Sequence, residues 1–139
     1  MWVMLAMAAL GQAVPVDEKL VDGLPVQTVT LVVHGTTQQC SGPMLADVLN
    51  RLGAPAGNDV RADALRLILL AKARDGYQVA FTLGELDPLL GNKRAIIATQ
   101  CDGKPLAAED GPYRLVMADE KRGARSLRQL ETLTLLNVE

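Results

Sequence analysis

Short aliphatic runs, each closed by a glycine-bearing turn, set the terms on which this chain can fold. Val26 to Val33 (VQTVTLVV) is β-branched and partly alternating, the composition of a strand. His34-Gly35-Thr36 turns it toward a short return strand over Thr37 to Cys40. Leu65 to Ala73 is apolar on both alternate faces, which suits a central strand, and Arg74-Asp75-Gly76 folds it onto Tyr77 to Phe81 as a hairpin. Arg94 to Thr99, Tyr113 to Met117 and Leu133 to Val138 supply three more strands, with a turn over Cys101 to Pro105. Strands dominate, the helices are few and short, and most connections are turns. The expected class is α+β with a mixed or antiparallel sheet.

The helical period surfaces in one place above all. Met44, Leu45, Val48, Leu49 and Leu52 fall on one apolar face, Pro43 sits at the N1 position, and Gly53 with Pro55 ends the helix. Asp47 near its start and Arg51 in its last turn complement the macrodipole. Thr82-Leu-Gly-Glu85 has the spacing of a capping box and predicts a helical turn carrying Leu86 and stopping near Asp87-Pro88. A further helical turn is predicted over Ala124 to Leu130.

With 139 residues the chain is long enough for one domain with a proper core. Aromatic residues are only 3% of it, so Leu, Val, Ile and Ala must fill that core. Few aromatics also argue against stacking platforms for single-stranded nucleic acid. The net charge of −2, with no basic run longer than two residues, leaves no overall footprint for a polyanion. Nucleic acid is therefore not an expected partner, and any anion site must be local.

The N-terminus differs from the rest. Met1 to Leu10 is uncharged and apolar, and Gly11-Gln12-Ala13 places small residues at the −3 and −1 positions of a cleavage site. Residues 1–13 read as a secretory signal peptide, with a buried N-terminal segment as the other reading. The run is too short to span a bilayer, so no stable membrane insertion is expected after cleavage. The expected location is periplasmic or secreted. Residues 14–25, polar and proline-containing, are expected to form an extended arm, and residues 26–139 a single domain. In an oxidising compartment Cys40 and Cys101 can pair; buried as thiols they would act as small hydrophobes.

Conventional catalytic constellations are missing. His34 is the one histidine and reads as an ordinary turn or edge residue. Glu109-Asp110, in a Gly-Pro loop, reads as a solvated turn. What remains is a basic loop: Lys121, Arg122, Arg125 and Arg128 within eight residues, interrupted by Gly123. Glycine lets a backbone approach a ligand and arginine offers paired donors to an oxyanion. Arg125 and Arg128, three apart, would share a face of a helical turn. The loop is either such an anion pocket or a solvated cationic segment complementing Asp119, Glu120 and Glu131.

Several motifs recur in a telling order: Gly42-Pro-Met-Leu-Ala-Asp-Val-Leu49, Asp75-Gly-Tyr77, Asp102-Gly-Lys-Pro-Leu106, Gly111-Pro-Tyr-Arg-Leu-Val-Met117 and Lys121-Arg-Gly-Ala-Arg125. Together they resemble the oxidoreductase molybdopterin-binding domain of sulfite-oxidase-type enzymes, in a short stand-alone version covering Val26 to Val138. The resemblance implies a β-rich, mixed or antiparallel fold of that type. It also implies a cofactor-binding role, toward the phosphate of a pterin, for Lys121, Arg125 and Arg128. At the metal the chain departs from the pattern. The enzymes hold molybdenum through a cysteine well upstream of the Gly-x-Pro-Leu helix, and counting back from Gly42 reaches Thr30. Cys40 stands too close to that helix and Cys101 is remote. The expectation is therefore a non-catalytic module, without a metal site, that binds a small anion or a protein partner. No cofactor is expected to be held, molybdopterin being the one the resemblance implies. The alternative is a genuine molybdopterin-dependent oxidoreductase or electron-transfer subunit in which Cys40 supplies the metal ligand.

Overall fold

The computed structural model describes residues 10–138. The first nine residues of the expected signal peptide therefore lie outside the described residues. The strands are β1 (Ala13–Pro15), β2 (Val26–Val33), β3 (Thr36–Pro43), β4 (Leu67–Ala73), β5 (Gln78–Thr82), β6 (Ala95–Ala98), β7 (Gln100–Cys101), β8 (Lys104–Pro105), β9 (Arg114–Met117) and β10 (Leu130–Asn137). Among the described residues three short helices, α1 (Glu18–Val21), α2 (Leu45–Arg51) and α3 (Leu83–Leu86), complete an α+β architecture in which every strand pairing is antiparallel.

The strands form two four-stranded sheets, ordered β1-β10-β4-β5 and β2-β3-β7-β8, and the separate pair β6-β9. That pair explains why its sequence is apolar without alternation. Ala95, Ile97, Leu115 and Met117 face the core built on β4, β10 and α2, whereas Ile96, Ala98, Val116 and Ala118 face the β2-β3 side. A strand buried on both faces needs apolar residues at every position. Close approach is needed here too, and a Cβ added at Gly42 of β3 would fall on the Ile97 carbonyl of β6.

Local signals hold where the interactions are local. Val33 pairs with Thr36 across a two-residue turn in which His34 (φ 51°) and Gly35 (φ 78°) are both left-handed, the geometry a tight hairpin requires. The capping box is complete: Thr82 accepts from the Glu85 backbone N–H at 3.1 Å, and Glu85 accepts from the Thr82 N–H at 3.0 Å. The helix over 45–51 is also present, but Met44 is its N-cap and Pro43 still belongs to β3. The pairing of β3 with β2 carries Pro43 into the sheet, two residues before the helix begins at Leu45.

One segment departs from expectation. Residues 14–25 do not form an extended arm: β1 pairs with β10, and α1 buries Leu20 and Val21 in the main core. Asp17 caps α1, accepting from the Leu20 N–H at 3.1 Å. Sequence polarity concealed this because a four-residue helix shows only two apolar positions. Ala13, the expected last residue of the signal peptide, already pairs with Thr134, and Gly11 donates to the Leu135 carbonyl at 2.7 Å.

Candidate functional site

The chain leaves β9 at Met117, crosses a loop, makes a single 3₁₀ turn over Gly123–Arg125 and returns along β9. The return is fixed by the strand it left. Ser126 Oγ accepts from the Met117 N–H at 3.0 Å, Leu127 accepts from the Leu115 N–H at 2.9 Å, and Leu130 donates to the Tyr113 carbonyl at 2.8 Å. Gly123 then passes so close to β2 that an added Cβ would lie 3.1 Å from Val33. The basic loop is thereby set against the His34-Gly35 turn.

Between them lies a cavity of about 460 Å³, lined by Arg114, Lys121, Arg122 and Arg128 together with His34 and Ser126. A second, more open cavity of about 460 Å³ adjoins it, sharing Lys121 and Arg122 and adding Lys93, Asp119 and Glu120. Four cationic side chains thus converge on one hollow of a chain whose net charge is negative.

Arg114 is the central group. It opens β9, is only 4% exposed, and its Nε has no hydrogen-bond partner. Its Nη1 lies 3.7 Å from Asp110, too far for a hydrogen bond, and the same carboxylate oxygen lies 3.3 Å from Arg128 Nε. Burial pulls the Arg114 pKa below the usual arginine value, Asp110 opposes that fall, and Arg128 adds to it. An arginine lining a cavity offers an oxyanion charge-assisted donors. Asp110 is accordingly a partner of two arginines rather than the solvated turn residue expected of Glu109-Asp110.

Lys121 and Arg128, two of the three residues expected to meet an anion, line the cavity. Arg125 does not. Its Nη2 and Nε lie 2.6 and 3.3 Å from the two oxygens of Glu120, its Nη1 2.9 Å from Glu85, and its guanidinium 5.0 Å from the centre of the Phe81 ring. Hydrogen bonding to Glu120 raises its pKa above the ordinary arginine value against the effect of burial, with Glu85 adding to the rise. The expected shared face of Arg125 and Arg128 is also absent, because the 3₁₀ turn ends at Arg125 and the two side chains reach different carboxylates.

Cys40 and Cys101 are joined in a disulfide. Neither presents a free thiol, so the alternative in which Cys40 ligates molybdenum has no thiolate to use. The residues present do not fit the metal end of a molybdopterin. Among the described residues no cluster of three His, Cys, Asp or Glu could hold a metal ion.

Sequence reasoning had placed Arg114 only inside a strand motif. The available signal was a charged residue opening an otherwise wholly apolar run. The site and its scaffold thus define a small α+β domain with a basic cavity between a hairpin turn and a strand-return loop. No family model and no curated protein matches this chain.

Proposed function

We propose that this chain is an exported, non-catalytic binding domain, similar to the molybdopterin-binding domain of sulfite-oxidase-type enzymes, that holds a small anion in the basic cavity. One observation carries the reading: Arg114, Lys121, Arg122 and Arg128 line one hollow. Convergent guanidinium and ammonium donors suit an oxyanion, which accepts several charge-assisted hydrogen bonds at once. The disulfide supports export, since such bonds persist in oxidising compartments.

The test is a titration of the protein recovered from a bacterial periplasm with inorganic phosphate and with sulfate, followed by amide chemical shifts. Saturable shifts at Lys121, Gly123 and Ser126, lost in Arg114→Gln, are the expected result. Shifts that track ionic strength equally in both proteins overturn it. Molybdenum recovered in near-equal amount with protein from a cofactor-producing host overturns the non-catalytic part.

A further inference from the structure

The loop that carries Lys121 and Arg122 runs between β9 and the 3₁₀ turn. Ala118 donates to the Arg94 carbonyl at 2.8 Å, and the next backbone bond along the chain is the one from Ser126 to the Gly123 carbonyl at 3.0 Å. Between them lie a turn over Ala118-Asp119 and Arg122, the N-cap of the 3₁₀ turn. Asp119 is left-handed (φ 62°), so this stretch is neither strand nor helix. Side chains add to the backbone in deciding where its cations sit.

Side chains from three other elements converge on it. Arg125 grips Glu120 through two nitrogens and reaches Glu85 on α3 with a third. Lys93, ahead of β6, lies 3.4 Å from Glu120. Tyr77, just before β5, donates its hydroxyl to the Ala124 carbonyl at 2.6 Å. Glu85 is itself fixed by the capping box of α3, so the clamp is anchored in a hydrogen-bonded element rather than in another loop. The Phe81 ring packs against the guanidinium. Arg125 ties Glu120 to α3, while Tyr77 ties Ala124 to the β4-β5 hairpin.

Resting on the anion-site reading above, we infer that Arg125 is the positioning residue of the basic cavity. By bridging Glu120 to Glu85 it holds Lys121 and Arg122 where an anion can meet them together with Arg114. Acid weakens the site through the same bridge, since protonating either carboxylate removes the charge that Arg125 holds. The charged groups facing the bridge are Lys93, Glu85, Glu120 and Arg125, with Asp119 and Lys121 adjacent in the chain. Hydrogen bonding from Arg125 holds Glu120 below the usual carboxylate range, so the bridge persists until the solution is clearly acidic.

The experiment combines amide hydrogen exchange with sulfate titration on the full chain, sulfate being chosen because its charge is constant over the working range. In Glu120→Gln at neutral pH, the Gly123 to Ser126 amides should exchange about tenfold faster and sulfate should bind about tenfold more weakly. Leu115 and Leu133 amides in the core should be unchanged. Wild-type sulfate affinity should fall on acidification, and the variant's should fall less. Arg125→Lys, which keeps the charge but loses the fork, should behave as Glu120→Gln does and serves if that variant does not fold. Loop amides that exchange at the wild-type rate in both variants overturn the positioning role. A loop that loosens while wild-type protein binds no sulfate upholds the clamp and overturns the anion-site reading instead.

Discussion

Cys40 and Cys101 stand directly opposite each other on β3 and β7, their Cα atoms 4.0 Å apart and their sulfurs bonded. The flanking ladder bonds, Thr99 to the Ser41 carbonyl and Asp102 to the Gln39 carbonyl, leave this pair without mutual backbone bonds. Side chains at such positions approach most closely, which is why a bridge fits here. The β7-β8 hairpin has only two residues per strand, so the bridge is its principal tie to β3. Closing a loop of 61 residues should stabilise the fold by about 4 kcal/mol on the chain-entropy account. Replacing both cysteines with alanine should lower the urea midpoint accordingly, with the β7-β8 amides losing protection first.

Gly42 should tolerate no side chain. Its position against the Ile97 carbonyl leaves no room for a methyl group, and the obstacle is backbone rather than a movable side chain. Gly42→Ala should destabilise by about 3 kcal/mol or more. Equilibrium denaturation measures this, and a loss below 1 kcal/mol, of the size a surface change gives, would contradict the described packing of β3 on β6.

Stability should fall in acid. Burial opposes the Glu85 charge, yet bonds from the Thr82 backbone and Arg125 hold its pKa below the ordinary value, and Arg125 does the same for Glu120. Both carboxylates bind protons less readily folded than unfolded, so stability is full above the unfolded glutamate value of about 4.3 and is lost as pH falls through the folded values. Thermal unfolding between neutral pH and about pH 3 should show this decline, and Glu120→Gln should flatten part of it.

Thr82→Ala removes both the accepted bond from the Glu85 N–H and the hydroxyl that contacts Glu85. The cost should be about 1 kcal/mol in denaturant unfolding. Because Glu85 also holds Arg125, the Gly123 to Ser126 amides should exchange faster in this variant than in one altered at an exposed strand position such as Thr30.

What was legible in advance was whatever depends on neighbours along the chain. The Thr82–Glu85 box, the turn at His34-Gly35 and the apolar face over 45–51 each involve residues within one turn of one another. Their energetics are settled before any tertiary contact forms. The strands β6 and β9 were legible as strands, though not as a pair feeding two cores, because apolar content alone does not say how many faces are covered. Arg125 was misplaced for a related reason. Its residue type suits an oxyanion and a carboxylate equally, and Glu85, forty positions away, decides between them.

The order of short aliphatic runs and glycine turns determined the α+β class, the hairpins and the stretch of chain that would be basic. Only the folded arrangement decided which cations face a cavity and which are neutralised. Arg114 became the central group because β9 is buried between two cores, and Arg125 left the site because α3 brings Glu85 to it. The physical reason is the range of the forces involved. Backbone propensity and capping act over a few residues, whereas desolvation and ion pairing depend on neighbours brought together only by packing.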